Sequence, residues 1–151
     1  MTTRREARRT ALDLLYQTDI TDADPDVVIA DWREAGRTVT PFAQELIDGV
    51  ASHLPEIDPL LEEHSEGWTV ARMATLDRTI MRIAVYELMY RPDVPTSVAI
   101  SEAVEAATEL SSDESRRYVN GILGRIAREL GRPETEQQTE PAAQEFDAEA
   151  D

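Results

Sequence analysis

Apolar residues recur along this chain every three or four positions, and no run alternates apolar with polar over the length of a half-buried strand. The spacing predicts an all-α fold with helices over 4–18, 26–35, 41–53, 56–65, 75–91, 97–110 and 114–130. Thr40-Pro41 places a capping residue before a proline at a first helical position. Pro55 breaks the middle pair of helices, and "RPDVP" at 91–95 separates two long ones. No internal repeat is present.

Wheel arithmetic at about 100° per residue assigns roles to these helices. In 75–91, Leu76, Ile80, Met81, Ile83, Ala84, Val85, Leu88 and Met89 cover most of the circumference, which predicts a central helix. Only Arg78, Arg82 and Tyr86 form a polar strip on it, and Glu87 falls among apolar residues and needs a partner if buried. In 97–110, a wet stripe of Ser101, Glu102, Glu105, Thr108 and Glu109 opposes Ala99, Ile100, Ala103, Ala107 and Leu110. That is a packing helix.

The stretch "SRRYVNGILGRI" at 115–126 is ambiguous at first reading, because Asn-Gly between apolar residues is a hairpin signal. Val119, Ile122, Leu123, Ile126 and Leu130 nevertheless fall on one arc, which predicts a helix through Asn120. Gly121 and Gly124 then lie on the far side with Arg117 and Arg128, bordered by Tyr118 and Arg125. Each glycine costs about 1 kcal/mol relative to alanine in a helix. Either another helix packs on the glycines, or the strip admits a nucleic-acid backbone gripped by arginine and stacked on tyrosine. At the N-terminus, Ala7, Ala11, Leu14 and Leu15 face inward, Arg5, Arg9 and Tyr16 share one flank, and Arg4 and Arg8 prolong the inward line. An arginine-rich helix start beside a tyrosine suits single-stranded RNA; it equally suits a frayed end paired with local carboxylates.

Charge changes this picture chiefly through its distribution. The net charge of −16 over 151 residues argues against a generic nucleic-acid binder. Residues 1–9 carry a local +3, whereas 133–151 carry a local −7 with no apolar period and read as a disordered acidic tail. The expected organisation is thus a helical domain over 1–132 and a tail over 133–151. Every basic residue is arginine, which grips phosphate in bidentate fashion, although a GC-rich genome produces the same bias. Cysteine is absent, so disulfides, thiolate metal sites and cysteine nucleophiles are excluded. No segment approaches a membrane span or a signal-peptide core, and a cytoplasmic protein is expected.

Candidate catalytic chemistry is sparse. His53 and His64 lie apart without HExxH or comparable ligand spacing, so no metal site is expected. Without lysine there is no Walker lysine, and no GxGxxG follows a strand. Carboxylates are many, but nothing pairs two of them for acid–base work or fixes a triad. An enzyme is not expected, and no cofactor is implied.

Several segments together carry a family resemblance: "RREARRTALDLLYQ" at the start, "LIDGV" at 46–50, "DRTIMRIAVYEL" at 77–88, "DVPTSVAISEAVEAA" at 93–107 and "SRRYVNGIL" at 115–123. In this order, across about residues 4–128, they resemble the bacterial NusB family of transcription antitermination factors. The resemblance implies about seven helices arranged as two three-helix halves plus a short N-terminal extension helix. It also implies binding to the boxA element of nascent RNA, notably ribosomal RNA leaders, as a heterodimer with NusE, a small-subunit ribosomal protein. That heterodimer joins NusA, NusG and RNA polymerase, and some members of the family self-associate as homodimers.

By position, the resemblance makes Arg4, Arg5, Arg8 and Arg9 RNA-backbone contacts, and it matches Tyr118 to an RNA-contacting aromatic with Arg117 beside it. Tyr16 joins this RNA-binding set from its place on the arginine flank. Asp77 and Glu114 match acidic positions facing NusE, with Arg82 near that surface, while Leu12, Leu15, Ile83, Ile122 and Leu123 belong to the core. The chain departs from the family pattern in Glu6 within the basic arm, in its lack of lysine and in the acidic tail, which is expected to compete with RNA for the arm. Two other functions remain open: a protein–protein scaffold that binds NusE or itself without useful RNA affinity, and a domain like the N-terminal part of certain ribosomal RNA cytosine methyltransferases. The latter continue into a large catalytic domain, whereas this chain reads on into the acidic tail.

Overall fold

The structure is a computed structural model and describes residues 3–133. The stretch from 134 onward, and with it the expected contact between tail and arm, lies outside the described residues. Among the described residues the secondary structure is entirely helical: α1 (Arg4–Thr21), α2 (Pro25–Glu34), α3 (Pro41–Ser52), α4 (Leu54–Glu63), α5 (Thr75–Tyr90), α6 (Thr96–Leu110) and α7 (Asp113–Glu129). A single 3₁₀ turn, Val70–Arg72, which the apolar period does not indicate, precedes α5 among the described residues. No helix among the described residues is long and apolar enough to cross a membrane. The helices group into two compact units that divide between Ser52 and His53. Among the described residues the first unit holds α1, α2 and α3 and the second holds α4, α5, α6 and α7.

In the first unit, α1 packs on α2 and α3. Its apolar line of Ala7, Ala11, Leu14 and Leu15 is buried, as are Phe42, Leu46 and Ile47 of α3. Thr40 does cap α3, its Oγ1 accepting from the Ala43 amide at 3.4 Å. The α2 helix is held through Trp32, whose Nε1 donates to Gln17 of α1 at 3.3 Å and whose ring carries the Arg37 guanidinium at 3.4 Å.

In the second unit, α5 packs against α4, α6 and α7, and its apolar residues are buried around most of the helix. The polar strip read on it is not a solvated one. Tyr86 is buried against the His53 ring, and Arg82 forms a two-pronged ion pair with Asp58 of α4 at 2.8–2.9 Å. Pro55 does not break a helix pair so much as open α4, where a proline without an N–H belongs. Pro59 is accommodated within the same helix.

The connection after α5 is more ordered than a linker. Arg91 grips Asp93 through both guanidinium edges at 2.9–3.0 Å, the Val94 amide donates to the Arg91 carbonyl, and the Val94 side chain is fully buried. Arg132 locks this corner from beyond α7. Its Nε donates to the Leu88 carbonyl, Nη1 to that of Val94, and Nη2 to those of Glu87 and Arg91, all at 2.9–3.1 Å. One planar fork of donors thus reaches four carbonyls of the last turn of α5 and the connection after it. The Leu88 and Val94 carbonyls take it beside the Glu87 and Arg91 carbonyls, which also accept from the Arg91 and Val94 amides. Glu87 itself is 1 % exposed, so the end of α5 is closed from several sides.

Substituting Arg132 therefore tests whether one side chain holds this corner. Arg132→Ala is expected to lower the unfolding free energy by about 2–4 kcal/mol, with Arg132→Lys recovering only part because a point ammonium cannot reach all four carbonyls. Urea unfolding of the full chain checks both, through a lowered midpoint at unchanged slope.

Candidate nucleic-acid and partner interface

The first unit places its candidate residues along α1. Thr3 caps this helix: its Oγ1 accepts from the Glu6 amide at 3.0 Å, while the Glu6 carboxylate accepts from the Thr3 amide at 3.4 Å. Glu6, which interrupts the basic arm, is thus the reciprocal half of a capping box. The cap fixes the phase of the four arginines that follow. Arg4 and Arg8, one turn apart, turn inward and are 2 % and 7 % exposed. Their guanidiniums lie over the Phe42 ring at 4.7 and 5.6 Å. Arg4 and Arg8 are thus buried beside Phe42, whereas the RNA-backbone contact expected of them calls for an exposed guanidinium. Arg5 is exposed, Arg9 is half-exposed with Asp13 3.5 Å away, and Tyr16 is exposed on the same flank.

The second unit brings the partner candidates to the first turns of α5 and α7. Ser112 caps α7, its side chain accepting from the Ser115 amide at 3.1 Å. Ser115 in turn donates from Oγ to Asp77 Oδ2 at 3.0 Å and lies 2.8 Å from Ser111 Oγ. Asp77 is 7 % exposed, and its other oxygen, Oδ1, is buried with no hydrogen-bond partner among the described residues. Burial raises its pKa above the ordinary carboxylate value, and the Ser115 hydrogen bond opposes this in part. Asp77 is thus a buried tie between two helix starts and not an exposed acid, which qualifies its expected role of facing a partner. Glu114 is exposed, as a partner contact requires, whereas the Arg82 guanidinium is committed to Asp58.

Tyr118 is half-buried, and burial, followed by the nearby Asp77 carboxylate, pushes its pKa up. It presents a neutral ring at physiological pH. Arg117 beside it is exposed. Asn120 sits within α7, so the Asn-Gly pair is helical and not a turn.

One constellation escaped sequence reading because its members are far apart in the chain. Glu63, His64 and Glu129 each bring a potential metal-ligating atom within 4.8 Å of the others, with His64 Nε2 3.0 Å from Glu129 Oε1. Both carboxylates are exposed, and the pairing serves equally as a surface hydrogen bond between α7 and the end of α4.

A sequence model of the NusB family matches residues 5–128. The transcription antitermination protein NusB of Salinispora arenicola is 47 % identical over 131 residues, spanning 84 % of this chain and 96 % of that protein. Among solved structures, NusB from T. maritima superposes with a TM-score of 0.77 at 33 % identity, covering 85 % of this chain and 92 % of its own. A chain in the crystal structure of a plectonemic RNA supercoil gives the same TM-score at 26 % identity, covering 85 % and 96 %.

The buried Asp77 carboxyl generates a pH-dependent expectation. A folded-state pKa above the unfolded value means that the native state binds the proton more tightly. This group's contribution to stability then falls as pH rises from the ordinary carboxylate value through the raised one. Asp77→Asn removes the charge while retaining an acceptor for Ser115. It is expected to raise the melting temperature at pH 7, by an amount that shrinks toward pH 4; thermal melts of both proteins across that range check the sign.

Proposed function

The chain belongs to the NusB family, and we propose that it is a transcription antitermination factor that binds the boxA element of nascent transcripts, notably ribosomal RNA, together with NusE. With that ribosomal protein it joins NusA, NusG and RNA polymerase in the elongation complex, in the cytoplasm. The observation that carries the reading is the match to an antitermination protein across 96 % of that protein's length. The exposed flank of α1 supports it with Arg5, Arg9 and Tyr16 on one line. On α7, Arg117 and the uncharged ring of Tyr118 supply the same pairing of guanidinium and aromatic face.

The mechanism is assembly, and the protein is not an enzyme. Phosphate contacts from arginine set the register of the RNA, and splayed bases are read on aromatic faces. Glu114, exposed in the first turn of α7, attracts the cationic side chains of a basic ribosomal protein. Arg4 and Arg8 act one step removed, by holding α1 against Phe42 so that Arg5 and Arg9 keep their outward phase.

Fluorescence anisotropy with a boxA oligonucleotide and a scrambled control, with and without NusE, tests the reading. Preferential boxA binding that strengthens with NusE is expected. Binding indifferent to sequence in both conditions would overturn it in favour of a protein-only scaffold. Within the same assay, Arg5→Gln with Arg9→Gln is expected to weaken binding at least tenfold and to flatten the salt slope by about 0.7 per lost phosphate contact. Arg8→Ala is instead expected to lower thermal stability, because it strips the Phe42 ring.

A further inference from the structure

Arg117 and Arg128 are anomalous in a chain with a net charge of −16. Both are exposed on α7, and among the described residues neither guanidinium makes an ion pair or a hydrogen bond. Nearby arginines are engaged: Arg82 with Asp58, Arg116 near Asp113 at 3.9 Å, and Arg125 with the His64 carbonyl at 2.7 Å. Eleven residues separate Arg117 from Arg128, so they return to within about 20° of one helical face, about 16 Å apart along it.

Gly121 and Gly124 occupy that face between them. Among the described residues no neighbouring helix accounts for these glycines. Among the described residues, and apart from the adjoining backbone of α7, the atoms within 4 Å of a Cβ built on Gly121 or Gly124 are guanidinium nitrogens of α7 itself, Arg125 Nη1 at 3.4 Å and Arg128 Nη1 at 3.7 Å. Helical side chains lean toward the N-terminus, so each arginine lies back over the glycine one turn before it. The glycines weaken the helix and yet provide neither a packing contact nor a left-handed backbone.

We propose that this face of α7, from Arg117 to Arg128, is a track for the phosphodiester backbone of single-stranded RNA. The inference rests on the RNA-binding function above and extends its footprint about three turns beyond Tyr118. The two guanidiniums hold phosphates at the ends of the track, as planar forks matched to pairs of phosphate oxygens. The glycines between them, lacking side chains, let the Arg125 and Arg128 guanidiniums lie low along the helix, so that the strand lies against a shallow cationic strip. Charge selects the occupant. Unpaired cations in an acidic chain confine a polyanion to this strip, the exposed Glu114 closes it at one end, and Glu129 is turned toward His64. At roughly 3.4 Å per charge in a stacked strand, and more when extended, the track accommodates several phosphates.

The test uses the full chain with NusE and two RNA probes, boxA alone and boxA lengthened by four nucleotides at either end. Wild type is expected to bind one lengthened probe at least fivefold tighter than the short one. The doubly substituted Gly121→Ala, Gly124→Ala protein is expected to lose that gain while its melting temperature rises, since the added methyls are accommodated and favour helix. Arg128→Gln is expected to abolish the gain and to lower the salt slope for the long probe by about 0.7. If these variants bind both probes as wild type does, while Arg5→Gln with Arg9→Gln weakens both, the track is wrong and the antitermination reading stands. If wild type shows no preference for boxA, both fall. Displacement of the extra nucleotides by poly-glutamate as readily as by unlabelled RNA would overturn the RNA assignment in favour of a general anion site.

Discussion

Burial of α5 around most of its circumference is the constraint on which the second unit depends. A helix in that position gains hydrophobic free energy along Ile80, Met81, Ile83, Ala84, Val85 and Leu88, but it takes its polar groups out of water with it. Each then needs compensation from a neighbour. Asp77 at its start is met by Ser115 of α7, Arg82 in its middle by Asp58 of α4, and the carbonyls at its end by Arg132. These ties come from three different places in the chain. They specify which helix faces meet, because a shift of one turn would leave a buried charge or carbonyl without its partner.

The first unit uses cations for a related purpose. Two of the four arginines at the start of α1 cover an aromatic ring instead of meeting solvent, because the inward stripe of the helix continues past the point where alanine and leucine end. A guanidinium suits that position: its flat face packs on a ring, and its edge can still reach polar atoms. The arm therefore divides by helical phase into a packing pair and an outward pair. Glu6, between them, belongs to the cap that sets the phase.

The candidate site shows the same division between what periodicity reveals and what it hides. Arg5, Tyr16, Arg117 and Glu114 are exposed, and Arg9 half-exposed, where the wheel and the family resemblance place contacts with other molecules. Arg4, Arg8, Arg82 and Asp77 carry equally suitable chemistry, yet folding turns them toward Phe42, Asp58 and Ser115. A residue type states what a side chain is able to bind. Only its neighbours decide whether it remains available.

From the sequence alone the seven helices were legible to within a few residues of their ends, as were the core stripes of α1, α6 and α7 and the helical state of Asn120-Gly121. These features follow from local periodicity and capping, which need no knowledge of the rest of the chain. The tertiary structure alone decided that Arg132 closes the end of α5, that the strip of α5 with Arg82 and Tyr86 is covered, and that the glycines of α7 face no other helix among the described residues. It also decided that Glu63, His64 and Glu129 meet. Each joins residues tens of positions apart, or depends on which helix covers a face, and helical period carries no information about either. A carbonyl, a ring or an unfilled groove acquires its role only once a distant side chain is brought to it, or is not.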